Sequence, residues 1–165
     1  MRIRPARPDD EADLLRVEQE TWTTASSPVA PPVWDGTQAF FRPDRGPAGF
    51  VVAEVDGSVV GYVALHQVMD VPAHQHVLTI DGLGVRADAR GHGIGRALVA
   101  AAVEVARTRG ARRVTLRVLG PNLAARRVYE QCGFEGEGEG VQAEEFLLDG
   151  RLVDDVLMAR RLVGP

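Results

Sequence analysis

Fourteen consecutive residues, Leu83-Gly84-Val85-Arg86-Ala87-Asp88-Ala89-Arg90-Gly91-His92-Gly93-Ile94-Gly95-Arg96, carry the densest chemical signal in the sequence. They lead from a strand-like stretch into a helical one through a turn in which Gly91, Gly93 and Gly95 alternate. Bare α-carbons there let successive backbone N–H groups converge on an anion at the helix N-terminus. Arg90 and Arg96 flank the turn with planar forks that suit phosphate oxygens, and His92 adds an imidazole N–H. Two familiar phosphate turns do not fit. A P-loop requires Gly-Lys-Ser/Thr, and all 19 basic residues of this chain are arginine. A dinucleotide turn requires Gly-x-Gly-x-x-Gly, but the third residue after Gly95 is Leu98, and no acid ends the next strand near Leu119.

A second constellation follows. Asn122, Ala125, Arg126 and Tyr129 fall on one stripe of a helix nearly two turns long. Asn122 can cap that helix and still hydrogen-bond a ligand, Ala125 leaves room, and Tyr129 presents a phenol beside them. Taken singly, Asn122 is explained by capping and Tyr129 by a half-buried aromatic with a satisfied hydroxyl. Asp81 lies in the apolar run Val77 to Val85 at the same strand parity as Leu83 and Val85. An acid there is costly unless it is functional or paired with an arginine. His74-x-His76 has strand spacing but no visible third ligand, so no metal site is expected. Glu135-Gly136-Glu137-Gly138-Glu139-Gly140 reads as a solvated loop or strand rim, with recruitment of a cationic substrate as the lesser alternative. Trp22, Trp34, Phe40 and Phe41 serve either the core or the wall of a cleft.

Around these residues, Met1 to Arg4 reads as a strand. A helix then opens on Asp9-Asp10-Glu11 and places Ala12, Leu15 and Trp22 on one side. Thr23 to Pro32 is a long Ser/Thr/Ala/Pro loop of the kind that tends to be functional, followed by a short helix over Asp35 to Phe41. Asp56-Gly57 and Asp149-Gly150 each join two apolar runs as a hairpin. A helix runs from Gly93 to Arg109, a strand from Val114 to Leu119, and a helix from Asn122 to Gln131. Hairpin, strand, helix, strand, helix, hairpin predicts a mixed α/β sheet with helices on its faces. A chain of 165 residues, 45% apolar and 25% charged, is expected to form one globular domain over residues 1–165. Its net charge of −4 argues against nucleic-acid and anionic-membrane binding. The opening residues lack an apolar signal segment, and the single Cys132 suits a reducing compartment, so the expected location is cytoplasmic. That leftover cysteine leaves pairing between two chains, and with it a homodimer, open.

Arg90-x-x-Gly93-x-Gly95 after Leu83-x-Val85, followed by Asn122-x-x-Ala125-x-x-x-Tyr129-Glu130-x-x-Gly133-Phe134, resembles the GNAT superfamily of acetyl-CoA-dependent N-acetyltransferases. The resemblance extends from Ile3-Arg4-Pro5-Ala6 to Asp149-Gly150. It implies a mostly antiparallel sheet of six to seven strands, helices on both faces, and a splayed parallel pair at the centre. It also implies acetyl-CoA as co-substrate, held by Leu83 and Val85 along its pantetheine arm. Arg90, Gly91, His92, Gly93, Ile94, Gly95 and Arg96 would take the pyrophosphate, with Asn122, Ala125 and Arg126 beside them. Acyl transfer to an amine needs an acid for the leaving thiolate and a base for the amine. The resemblance assigns these to Tyr129 and, through a water relay, Asp81. A phenol titrates near about 10 and a thiol near about 8.5, so a tyrosine is protonated when needed. The expected acceptor is a primary amine of a small molecule such as an amino acid or polyamine. A protein N-terminus, or no acceptor at all in an acyl-CoA sensor, are the alternatives. A cleft closed by the Trp22 to Trp34 loop would favour a small metabolite, and an open acidic one a peptide or polyamine.

Overall fold

The computed structural model describes residues 1–29 and 32–162. Seven strands form one sheet: β1 (Arg2–Pro5), β2 (Phe50–Val55), β3 (Ser58–His66), β4 (Val77–Val85), β5 (Arg113–Leu119), β6 (Glu135–Leu148) and β7 (Arg151–Arg161). Their order is β1-β2-β3-β4-β5-β7-β6, with β4 and β5 the parallel pair. Among the described residues three α-helices accompany them: α1 (Glu11–Thr21), α2 (Ile94–Thr108) and α3 (Leu123–Gln131). Both Asp-Gly hairpins form, with positive φ at Asp56, Gly57, Asp149 and Gly150, as a two-residue type I′ turn requires.

Each face of the sheet has its own core. On one side α2 buries Ile94, Leu98, Val99, Ala102, Val103 and Ala106 against β3, β4 and β5, and Tyr129 and Phe134 join them from α3 and the segment after it. On the other, α1 buries Leu14 and Val17 against Phe40, Phe50, Val52 and Tyr62. The buried side of α1 is thus Leu14/Val17 rather than Ala12/Leu15/Trp22, because Leu14 and Val17 are the positions that reach β3. No helix forms over Asp35 to Phe41. The Asp35 carboxylate accepts from the Thr37 N–H at 2.9 Å and from the Gln38 amide at 3.0 Å. The Phe40 N–H donates instead to Glu11 at 2.5 Å. These side-chain acceptors take the place of a helical ladder and drive Phe40 into the core at 1% exposure. Residues 135–140, read as loop or rim, form the start of β6, where Glu135 pairs Ala159 and Gly136 pairs Met158.

The parallel ladder is short. It runs from Val77/Arg113 to Ile80/Leu116 and stops, while β4 stays paired to β3 and β5 to β7. A bulge accounts for the break: Leu65 faces Ile80 and Val63 faces Leu83, so β4 carries one extra residue at Asp81-Gly82. Gly82 takes φ +150, which a bare α-carbon permits. Bulges bend a strand and sharpen its twist, and here β4 parts from β5 beyond Ile80 to leave a V-shaped opening.

One ion-pair cluster ties α1 to the sheet edge. Arg4 grips Asp10 through both terminal nitrogens at 2.7 and 2.8 Å, the Arg7 N–H adds a third bond at 2.7 Å, and Arg4 Nε reaches Glu54 at 2.7 Å. Its guanidinium holds the Asp10 carboxyl below the usual carboxylate range. Asp10→Asn is expected to cost about 2–3 kcal/mol at neutral pH, read by urea denaturation. A lowered folded-state pKa stabilises above the unfolded value of about 4 and ceases to do so as pH falls through the depressed value. The difference between wild type and variant should therefore shrink below about pH 4.

Candidate active site

Beyond Val85, a short 3-10 turn over Ala87–Ala89 leads into the glycine turn. Gly91 and Gly93 adopt φ +82 and +76, and Gly93 caps α2 with no side-chain hydrogen bond. The first intrahelical bond runs from the Ala97 N–H to the Gly93 carbonyl, so the N–H groups of Ile94, Gly95 and Arg96 are left free at the positive end of the helix. A Cβ at Gly91 or Gly93 would project into open space, which leaves these amides accessible. Arg90 Nε donates to the Val85 carbonyl at 2.9 Å and pins the turn to the strand end while its terminal nitrogens stay available. His92 and Arg96 are exposed at the same corner. Ile94 is different: its side chain is buried at 4% exposure, so only its N–H faces a ligand.

The V opens into a cleft of about 630 Å³ that brings together Asp81 and Leu83 from β4 with Asn122, Ala125 and Tyr129 from α3. Val85, Arg126 and the glycine turn lie outside that lining. The turn packs between the ends of α3 and β4, where a Cβ on Gly95 would stand 3.8 Å from Val128 and 3.9 Å from Val85. Asn122 Oδ1 accepts the Ala125 N–H at 3.2 Å, which caps α3 and leaves the amide nitrogen free to donate. Tyr129 is 5% exposed, its ring centroid 5.9 Å from that of Phe134. Burial pushes its phenol well above the ordinary value, with Tyr62, Asp81 and Cys132 adding to the shift. Tyr129 is therefore a protonated phenol across the neutral range.

The bulge also re-aims Asp81. Leu78 and Ile80 enter the α2-side core ahead of it, and Leu83 and Val85 pack against that core after it, so the parity switches between them. Asp81 accordingly stands on the opposite face from Leu83 and Val85, contrary to its expected shared parity. Its side chain is 67% exposed, with His66 Nδ1 3.9 Å from Oδ2. No arginine neutralises it among the described residues.

Several lining residues escape a sequence reading. Glu18 from α1 and Arg45 from the loop before β2 meet at 4.0 Å, and burial raises the Glu18 pKa. Tyr62 points into the same space, its phenol pushed up to about 12 by burial. Arg117 donates Nε to Asp155 at 2.5 Å and a terminal nitrogen to Gln142 at 2.7 Å. An acid amid the apolar β7 run, and a carboxylate one residue after the buried Val17, were the faint signals. Trp22 and Trp34 line the cleft, whereas Phe40 and Phe41 pack in the core with Phe40 also touching the cleft wall. Thr24 Oγ1 donates to Asp149 at 2.7 Å, bridging the Thr23 loop to the β6–β7 hairpin tip. Glu135 and Glu137 border a separate cavity, where Glu137 pairs with Arg113. His74 and His76 have ring centroids 6.4 Å apart, and among the described residues no three His, Cys, Asp or Glu side chains converge. No helix among the described residues is long and apolar enough to cross a membrane.

Comparison with known proteins gives the arrangement a family. The Acetyltransferase (GNAT) family model matches residues 12–134. An uncharacterized N-acetyltransferase of Methanocaldococcus jannaschii, MJ1207, is 40% identical over 93 residues, which cover 55% of this chain and 41% of that protein. The chain thus spans less than half of that relative's length. The structure of smu.2055 from Streptococcus mutans UA159 superposes with TM-score 0.83 at 27% identity, covering 99% of this chain and 100% of that one. That of yncA from Salmonella typhimurium, solved with acetyl-CoA, shares the fold at TM-score 0.82 and 20% identity, covering 100% and 95%. Since the family match takes in the glycine turn, β5 and the whole of α3, the chain belongs to the GNAT acetyltransferase family.

Proposed function

We propose that this chain transfers the acetyl group of acetyl-CoA directly to a primary amine of a small molecule. One observation carries the reading: a buried, protonated Tyr129 shares a cleft with the unpaired edge of β4 and with a carboxylate, Asp81. The chain's groups fit the co-substrate. Free N–H groups at the start of α2 suit a pyrophosphate, with Arg90, His92 and Arg96 around them. The open edge of β4 offers the backbone groups of Leu83 and the N–H of Val85 to an amide-bearing arm, the Val85 carbonyl being taken by Arg90, and the Asn122 amide adds a donor. When bound, acetyl-CoA supplies an acetyl group activated as a thioester.

The residues then divide the proton work. Asp81, exposed and unpaired by arginine, accepts the amine proton through water. Tyr129 gives its proton to the departing sulfur as the C–S bond breaks and the C–N bond forms, and it recovers one from solvent afterwards. Free N–H groups on the splayed edge of β4 serve as donors to the carbonyl oxygen. A small acceptor is supported by the Thr23 loop, which places Ser26, Pro28 and Trp34 over the cleft and is bridged to the opposite hairpin through Thr24 and Asp149. The test is thiol release from acetyl-CoA with a panel of amino acids, polyamines and short peptides. Amine-dependent release with small amines supports the reading, and release with peptides alone overturns it in favour of a protein acceptor.

Direct transfer leaves Cys132 without a chemical role. It is 7% exposed, does not line the cleft, and has its Sγ 3.7 Å from the Arg96 carbonyl. Burial raises its thiol pKa, which lowers the thiolate fraction. Cys132→Ala should keep kcat within about twofold of wild type and cost about 1 kcal/mol of stability. A collapse of steady-state turnover with stability intact would indicate an acyl-cysteine route instead.

A further inference from the structure

The loop ahead of β2 brings two arginines to the cleft, Arg42 and Arg45. A tight turn fixes them: the Arg42 N–H donates to the Arg45 carbonyl at 3.2 Å, and the Arg45 N–H returns to Arg42 at 2.9 Å. The Arg45 guanidinium lies over buried Phe50 and Phe40, 4.9 and 5.4 Å from their centroids. This stacking holds the fork in place before any ligand arrives. Glu18 sits on one side only, 4.0 Å from Nη1, beyond hydrogen-bond range. On the other side, Nη2 lies 3.8 Å from where a Cβ would stand on Gly82, the neighbour of Asp81. The third arginine of the cleft, Arg117, is already engaged by Asp155 and Gln142.

A guanidinium with no carboxylate within hydrogen-bond range and a carboxylate that no arginine pairs thus stand on the same wall, with Gly82 between them. Resting on the acetyl-transfer reading above, we infer that the acceptor is a zwitterion, an amino acid whose carboxylate is held by Arg45 while its amine lies on the Asp81 side. Arg42, exposed at the same mouth, adds a second positive charge for that carboxylate. A polyamine would set a second ammonium against these arginines, and a peptide N-terminus would bring no carboxylate within reach. Charge-assisted bonds from a fork to a carboxylate correspond to about a 10- to 100-fold preference over an otherwise identical uncharged acceptor.

The experiment compares matched sets: alanine, leucine and phenylalanine, each with its C-terminal amide and its decarboxylated amine, read as thiol release. In wild type, kcat/KM should fall about 10- to 100-fold when the carboxylate is removed. Arg45→Gln should reduce that ratio to within about threefold of unity and Arg45→Lys should leave an intermediate value, while retained acetyl-CoA binding shows that both variants fold. Equal use of acid and amide by wild type, or a preference that survives Arg45→Gln, overturns the proposal and leaves acetyl transfer standing. A second readout does not need turnover: both tryptophans of the chain line the cleft, so their fluorescence reports its occupancy. N-acetylleucine should bind wild type at least about tenfold more tightly than its amide, and Arg45→Gln should abolish the difference. If no amine releases thiol, the transfer reading fails, and this binding difference alone decides the carboxylate site.

Discussion

Replacing Tyr129 by phenylalanine is expected to lower kcat by about 100- to 1000-fold while leaving the affinity for acetyl-CoA within about threefold. The phenol is pushed far above its ordinary pKa by burial, so it never limits the reaction by ionising near neutrality. It is one of two tyrosines in the chain, and the other, Tyr62, comes from β3 on the α1 side of the sheet. Phenylalanine keeps the contact with Phe134 and deletes one oxygen, so stability should change by under about 1 kcal/mol. A drop in kcat without a change in stability or binding isolates proton donation. Undiminished turnover in the variant would remove Tyr129 as the acid and shift that role to solvent.

Gly93→Val is expected to weaken acetyl-CoA binding by at least about 100-fold. Gly93 holds φ +76 at the head of α2, a conformation that a β-branched residue adopts only with strain. The added methyl groups would also project into the open space through which the free helix amides are reached. A thioester without a pyrophosphate, N,S-diacetylcysteamine, provides the control. Wild type and variant should use it at rates within about threefold of one another, because the lost interaction lies at the phosphates. Equal affinity of both proteins for acetyl-CoA would show that the turn does not hold the pyrophosphate.

The parts of the site that depend on local geometry are legible in the sequence. Alternating glycines before a helix, an asparagine cap, and residues spaced three and four apart on α3 all act within about one or two turns of chain. The Asp-Gly hairpins are legible for the same reason. What depends on distant contacts is not. The helix expected over Asp35 to Phe41 yields to Glu11, which lies far away in sequence yet captures the Phe40 and Phe41 amides. The parity of Asp81 is reversed by the bulge, whose one local sign is a glycine inside a strand. Glu18, Tyr62 and Arg45 come from α1, β3 and the loop before β2, and only the tertiary fold brings them to one wall.

The most direct test of the central claim follows a radiolabelled acetyl group from acetyl-CoA in the presence of a small amino acid. One equivalent of free CoA should appear for each acetylated amine, with a new N-acetyl product and no label retained on the protein at any stage. Acetyl-CoA that binds with no amine-dependent release of CoA, or label that accumulates on the chain before reaching the amine, would contradict it.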